Sequence, residues 1–516
     1  MFINKLKNFF YILFTLGVLY SCTSVKPVQI RDATDLDAPI FEIGTTKNIA
    51  VLLPESNWGE SIKTSIQMAF IQSKSNDINV RFTDLSGSSE EKSQQIKSAL
   101  LNKPDLIIGP IFSEEVEILR QQINSNIPVL SFSSDTNVLG NGILTMSLIP
   151  TQSVETIVRH IITDGKKEIM IITPDNKTGY IMGNAALDAA NIYGLDVAGF
   201  YYYKPGNMEN MKNVSENMAM FNARNNANTR AKEILSDILN KQIISESDKI
   251  YVNELLENRK KSDTIGDVPY DAILFLGNAS DSKALGSFMR YFDVPAKKVK
   301  FYGTAMWDNS EMFRDITMSG ASFAAMPAIS PEFTNAYRTI TDKEPERIST
   351  MGYDAAMLAK KALLSGRNVS EFLSDPSGFR GLDGLMRLQA NGISERALQI
   401  MVLDGSGTPK IIKTSATNFI KPLYQITKQN NNKPNEIKIS AGINPMYYLQ
   451  LPESVRGKYS AKTYRENEYI KSKIEIKSEE ITILPEDSSE PIIDPDFQPI
   501  ELNQVNRTMV DEIEIH

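Results

Sequence analysis

The sequence predicts an α/β fold built as two doubly wound parallel-sheet lobes. Three observations carry that prediction. Continuous apolar runs such as NIAVLLP (48–54) and DLIIGP (105–110) have the pattern of strands buried on both faces. Each run is followed by an amphipathic stretch with helical spacing or by a loop, and strand–helix–strand repeats imply a parallel sheet with right-handed crossovers. The alternation runs through two rounds of roughly 110–130 residues, and a single sheet of all those strands would be unusually wide.

The first round begins with NIAVLLP. SIKTSIQMAFIQS (61–73) then places Ile62, Ile66, Ala69 and Phe70 on one helical face. INVRFTDL (78–85) reads as a strand. SEEKSQQIKSALLN (89–102) reads as a helix that Ser89 can cap, with Glu91 and Lys92 near its start. DLIIGP, SEEVEILRQQINS (113–125), IPVLSFS (127–133), GILTMSLIP (142–150) and TQSVETIVRHIITDG (151–165) continue the alternation.

The second round comprises EIMIITPDN (168–176), YIMGNAALDAANIYG (180–194), VAGFYYY (197–203), DAILFLGN (271–278), SDSKALGSFMRYF (280–292), KVKFYGTAM (298–306) and ASFAAMP (321–327). A polar insertion, 206–266, interrupts it, with helices expected at 230–243 and 248–261. Helices follow at 331–343 and 345–366. Then come LMRLQ (385–389), a turn at Ala390-Asn391-Gly392, RALQIMVL (396–403), a turn at Asp404-Gly405, and PKIIK (409–413). Asn-Gly and Asp-Gly between alternating runs are strong hairpin signals.

Composition narrows the chemistry. The 516 residues are 41% hydrophobic and 23% charged, ample for large cores. With two histidines, His160 and His516, and one cysteine, Cys22, a Cys/His zinc site, an iron–sulfur cluster and a disulfide framework all lack ligands. No phosphate loop, dinucleotide fingerprint or zincin motif is present, so no metal or other cofactor and no catalytic residue is expected. His160, within an amphipathic helix, reads as structural.

The two ends carry different signals. Lys5 and Lys7 precede the apolar run FFYILFTLGVLY (9–20), which has the length of a signal-peptide core and is too short to span a bilayer. Leu19-Tyr20-Ser21-Cys22 resembles a bacterial lipobox, which would make residues 1–21 a signal peptide, Cys22 the acylated anchor and 22–46 a tether. An ordinary signal peptide with a stray cysteine is the alternative. After Lys477 there are eleven acidic residues and one basic residue, Arg507. Residues 413–516 therefore read as a largely irregular acidic tail, either solvated or a docking segment for a basic partner, and nucleic-acid binding is not expected.

Taken in order, IAVLLP, DLIIGPIFSEEV, IPVLSFSSD, MIITPDNKTGY, MGYDAAMLAKKAL and FRGLDGLMRLQANGISERALQIM resemble the type I periplasmic binding-protein fold. FNARNNANTRAKEILSDI and DVPYDAILFLGNASDSKALGSFMRYFDV resemble, within it, the penicillin-binding-protein activator lipoproteins, the LpoA-like branch. The resemblance covers about 46–412 and implies lobe one at 47–150 with 345–366, lobe two at 151–344, and hinge-crossing and terminal strands at 367–412.

It also implies an inter-lobe cleft at the C-terminal ends of the strands, with space for a small-molecule ligand. The loops there nominate Ser56, Trp58, Ser113, Ser133, Ser134, Asn176, Tyr180, Asn278 and Trp307, with Glu55, Phe112, Asp135 and Asp175 beside them. Ser113 reads equally as a helix cap, Asp175 and Asn176 as turn residues, and Trp307 as packing. The function implied is a non-enzymatic lipoprotein of the outer membrane, facing the periplasm, that regulates a bifunctional penicillin-binding protein in peptidoglycan synthesis. The alternative is an amino-acid-type solute receptor of an ABC transporter, and an enzyme using the cleft carboxylates ranks third. Thr23 after the anchor fits outer-membrane placement. The larger members of that branch carry an N-terminal helical-repeat domain, for which the 24 or so residues between Cys22 and the first strand leave no room.

Overall fold

The computed structural model describes residues 47–73, 77–124, 126–241, 244–419, 429–439, 442–456 and 500–501. The expected signal segment, the Cys22 anchor, the tether and most of the acidic stretch lie outside them. No helix among the described residues is long and apolar enough to cross a membrane. The chain divides into two units, one of residues up to Phe132 with Ala328–Asp383 and 499 onward, the other of Ser133–Pro327 with Gly384–Gln498.

In the first unit, strands β1 (Lys47–Leu53), β2 (Ile78–Asp84), β3 (Leu106–Ile108) and β4 (Val129–Ser131) stand in the order β2-β1-β3-β4, all parallel. Val51 of β1 is in register with Phe82 on one side and Ile108 on the other, and the strand is buried from Ile49 onward. That explains its unbroken apolar run. The helix Asn57–Gln72 buries Ile62, Ile66, Ala69 and Phe70, the face expected from spacing. The late helix Arg347–Leu364 returns to this unit, with Tyr353 donating to Gln72 at 3.0 Å and Lys360 to the Ser73 carbonyl at 2.9 Å. The helix Ser89–Leu100 is capped by Ser88, not Ser89. Ser88 Oγ accepts from the Glu91 amide while Glu91 accepts from the Ser88 amide, a reciprocal capping box, and Ser89 instead donates to Glu114 at 2.8 Å.

The second unit begins with a short strand, β5 (Ile143–Thr145), and a helix, Pro150–Thr163. Its main sheet uses β6 (Glu168–Pro174), β7 (Asp196–Tyr203), β8 (Ala272–Phe275), β9 (Lys300–Gly303) and β10 (Ser322–Ala325). These stand parallel in the order β10-β9-β8-β6-β7. The strands Gln399–Val402 and Lys410–Lys413 extend the sheet antiparallel beyond β10. The expected hairpin of 385–389 with 396–403 is thus split. Gly384–Leu388 pairs with Ser394–Arg396, and the chain then leaves to join β10.

Residues 133–149 are tied to the later chain. The Thr145 amide donates to the Gly392 carbonyl at 2.9 Å, and the Ser394 hydroxyl and Arg396 guanidinium donate to the carbonyls of Ser147 and Met146.

The polar insertion is helical over a longer stretch than its apolar spacing predicts, with Met208–Met218, Phe221–Lys241 and Glu246–Lys260. Its second and third helices share a small core of their own (Ala231, Leu235, Ile238, Val252, Leu256) with Met446, Leu449, Leu451 and Val455 from the C-terminal region. Buried Arg224 pins this bundle down, donating to the carbonyls of Gly266 at 3.0 Å and Asp293 at 3.0 Å and to Thr264 at 3.1 Å.

Candidate functional site

Both units build the same turn at the end of a central strand. In the first, β1 leads to Pro54-Glu55-Ser56-Asn57-Trp58-Gly59; in the second, β6 leads to Pro174-Asp175-Asn176-Lys177-Thr178-Gly179. Ser56 Oγ accepts from the Gly59 amide at 3.1 Å, and Asn176 Oδ1 from the Gly179 amide at 2.9 Å, so each polar residue caps the helix that follows. The glycine is required for space. A β-carbon on Gly59 would lie 1.9 Å from the Pro54 carbonyl oxygen, and one on Gly179 would lie 1.8 Å from that of Pro174. The repeated Pro-acid-Ser/Asn-x-x-Gly is a signal in the sequence that the strand-by-strand reading passed over.

In the first unit the turn carries an exposed aromatic. Trp58 is 50% exposed, and its ring lies 6.1 Å from that of half-exposed Phe112. Ser113 is the first residue of the helix Ser113–Arg120 but does not cap it. The cap position is Phe112, whose amide donates to Glu115. Glu115 is fully buried with Lys92 3.2 Å away, and burial pushes its carboxyl upward.

In the second unit the turn carries an acid that is already engaged. Asp175 accepts from the Tyr180 hydroxyl at 2.7 Å and from the Lys433 ammonium at 2.5 Å. That ammonium lies 4.5 Å from the Tyr202 ring centroid and 5.4 Å from that of Tyr180, and the two rings meet edge to face at 5.7 Å. The hydrogen bond from Lys433 holds the Asp175 carboxyl below its ordinary range, and the same bond holds the Lys433 ammonium above its own. Burial pushes the Tyr202 hydroxyl upward, helped by the charges of Tyr180, Asp175 and Glu436. Beside this cage lies a cavity of about 490 Å³ at the ends of β6 and β7, lined by Asp175, Tyr202, Tyr203, Lys204, Asn210, Val214 and residues 433–436.

Lys433 belongs to a strap, residues 429–439, that lies within the stretch expected to be irregular. Gln429 exchanges hydrogen bonds with Thr136 and donates to the Ser134 carbonyl at 3.1 Å. Asn184 donates to the carbonyls of Asn430 and Asn432, and Tyr202 to that of Pro434 at 2.8 Å. Ile437 forms a two-bond antiparallel bridge with Phe200, and the Ile439 amide donates to the Tyr201 hydroxyl at 2.8 Å. The sequence offered little sign of it, since 429–439 has no apolar periodicity.

The structure therefore sorts the nominated residues. Trp58 and Ser113 lie on the first unit with Phe112 between them, and Ser56 is spent as a cap. Ser133 and Ser134 lie on the second unit, with the Ser133 hydroxyl accepting from the Asp135 amide and the Ser134 carbonyl held by the strap. Tyr180 and Asn176 stand at the cage. Asn278 caps the helix Ala279–Tyr291 and donates to buried Asp281, which also accepts from Tyr203. Trp307 is core, not cleft. It is fully buried against Phe275 and Phe323, because the chain turns inward over Gly303 at the end of β9. Among the described residues no group of three or more His, Cys, Asp or Glu side chains is placed to hold a metal ion.

Comparison with known proteins assigns the fold. The family model described as "Periplasmic binding protein" matches residues 49–370. The chain belongs to this family. The two parallel-sheet lobes of this binding protein are those of the type I periplasmic binding-protein fold. A putative branched-chain amino acid ABC transporter protein from Rhodospirillum rubrum has a similar structure, with a TM-score of 0.54 and 14% identity over 71% of this chain and 99% of that one. The C-domain of LpoA from Haemophilus influenzae, a regulator of PBP1A, matches with a TM-score of 0.47 and 18% identity over 71% of this chain and 100% of that one. Among curated relatives, the penicillin-binding protein activator LpoA of Photobacterium profundum is 23% identical over 195 residues, which is 33% of this chain and 32% of that protein. The match thus spans about a third of the relative's length.

Proposed function

We propose that this binding protein is a non-enzymatic regulator of a bifunctional penicillin-binding protein, held at the outer membrane through an acylated Cys22 and facing the periplasm. The observation that carries this reading against a solute receptor is the strap. A receptor needs convergent polar groups left free at the strand ends. In the second unit those groups are taken up: Asp175, Tyr180 and Tyr202 hold Lys433 and Pro434, and Asn176 and Asn278 cap helices. The similarity to the LpoA of Photobacterium profundum supplies the class of partner. Regulation of this kind works by binding an active conformation of the enzyme better than an inactive one.

The test is to titrate the chain lacking residues 1–22 into a purified bifunctional penicillin-binding protein and follow both complex formation and peptidoglycan polymerisation. Saturable binding with a rise in rate is expected. Absence of both, together with a saturable rise in melting temperature with an amino acid, would replace this reading by the receptor. A solute at about 100 times its Kd would stabilise the fold by about 2.7 kcal/mol. The receptor reading has its own supporting observation in the exposed Trp58–Phe112 pair of the first unit.

A further inference from the structure

We infer that the outer edge of the strand Lys410–Lys413 is the docking site of the chain's own acidic segment Asp511–Ile515, which adds to the sheet as a further strand. The inference goes beyond regulation of a partner and does not depend on it.

The main sheet of the second unit ends in two different ways. At β7 the strap covers the edge, with Phe200 and Ile437 exchanging both backbone hydrogen bonds. At the other end stands Lys410–Lys413. Its inner side pairs with Gln399–Val402, and its outer side has no strand beside it among the described residues. All four residues are exposed, including Ile411 at 53% and Ile412 at 49%. An edge of this kind presents unpaired N–H and C=O groups to any extended chain.

The register fixes which chemistry the edge accepts. Lys410 lies opposite Val402 and Lys413 opposite Ile400, with Ile412 as the extra residue of a bulge. Val402 and Ile400 are two residues apart, so both lysines stand on one face of the sheet, and Ile411, opposite Met401, stands on the other. Lys410 is paired with Asp404 at 2.9 Å, and Lys413 has no carboxylate partner among the described residues. A second copy of the strand, paired antiparallel, would set Lys410 against Lys413 and place like charges opposite one another. A strand with carboxylates on the lysine face and β-branched residues on the isoleucine face turns the same positions into attraction.

The sequence holds such a strand. In Asp511-Glu512-Ile513-Glu514-Ile515 the two glutamates fall on one face, two residues apart as Val402 and Ile400 are, and the two isoleucines fall on the other. The segment lies outside the described residues. Two other alternating runs fit less well. Lys473-Ile474-Glu475-Ile476-Lys477 would bring two more lysines to the lysine face, and Glu480-Ile481-Thr482-Ile483-Leu484 has one carboxylate for two lysines.

The experiment uses the chain lacking residues 1–22, in which a cysteine introduced as His516→Cys is the only one and carries a nitroxide. The amide signals of Lys410–Lys413 should broaden selectively in the NMR spectrum, to an extent independent of protein concentration. Without the label, the outward-facing amides of the same strand should be protected from hydrogen exchange. Glu512→Lys with Glu514→Lys should speed their exchange at least ten-fold and leave the inner amides, bonded to Gln399–Val402, unchanged. Outer amides that already exchange freely in the unaltered chain would overturn the inference, as would protection that survives both charge reversals. Broadening that grows with concentration would place a second copy at the edge, and protection without broadening would place a different segment there; either result overturns the assignment to Asp511–Ile515 of the same chain.

Discussion

The two turns that end β1 and β6 have one backbone and two fates. Each runs proline, acid, capping residue, two exposed residues and a glycine pressed against the proline carbonyl. Each also ties the amide of its acid to the neighbouring strand, Glu55 to Asp84 of β2 and Asp175 to Tyr203 of β7. In the first unit the exposed positions include a half-exposed tryptophan beside a phenylalanine. In the second, the acid and its aromatic neighbours grip a lysine from a strap supplied more than two hundred residues later. A strand-end turn therefore sets where recognition groups stand. What fills them is decided by distant chain.

The largest test of that contrast uses the two tryptophans. Trp307→Ala should cost about 3–5 kcal/mol of second-unit stability, since a fully buried ring leaves a cavity. Trp58→Ala should stay within about 0.5 kcal/mol, as expected of a surface position. Urea unfolding followed by circular dichroism reads both, and a loss at Trp58 comparable to that at Trp307 would break the comparison.

The paired glycines come next. Gly59→Ala and Gly179→Ala should each destabilise their own unit by about 1–3 kcal/mol or more, because the opposing atom is backbone and cannot rotate away. Similar losses in the two variants would show the turns to be energetically alike as well as geometrically alike. Limited proteolysis distinguishes which unit opens.

A smaller effect is expected from Tyr202→Phe, which keeps the ring and removes the bond to the Pro434 carbonyl. The strap should lose about 1 kcal/mol of local protection, measured by hydrogen exchange at the Ile437 and Ile439 amides. Unchanged exchange at both would show that the strap's other bonds hold it without the one from Tyr202.

The smallest effect is a pH dependence. His160 has its pKa lowered by burial, with Lys300 and Lys413 adding to the shift and Asp164 opposing it. The Tyr302 ring, 6.2 Å away, faces it as well. Below its ordinary 6.5 the unfolded chain binds a proton that the folded chain resists. The stability it contributes is thus present above pH 6.5 and lost as pH falls through the lower folded value. Melting curves between pH 5 and 8 should show this slope in the unaltered chain and a flatter one in His160→Gln.

What the sequence revealed and what it hid follow from the range of the interactions. The buried strands were legible because both faces of β1 and β6 are covered, which demands unbroken apolar residues such as Ile49–Leu53 and Ile169–Ile172. The amphipathic helix Asn57–Gln72 was legible for the same reason. The strap was not, because its hold on the second unit comes from Asn, Gln and Lys side chains, two tyrosine hydroxyls and a backbone bridge, none of which has a period. The helices of the insertion were half legible. Their apolar stripe is thin, since their small core is completed by Met446, Leu449, Leu451 and Val455 rather than by the insertion itself. Trp307 was misplaced because a loop position does not say whether the chain turns outward or inward, and at Gly303 it turns inward.

That shared core also has a timetable. The residues that cover the insertion's apolar stripe follow Leu256 roughly 190 positions later, which at about 5–20 residues per second of synthesis is a wait of roughly 10–40 s. For that interval Leu235, Ile238, Val252 and Leu256 lack the cover that Met446, Leu449, Leu451 and Val455 later supply, and pack only with nearby residues such as Ala227, Ala231 and Ile265. The bundle is complete only when nearly the whole described chain has been made, so its assembly reports that the strap upstream of residue 446 has also been made.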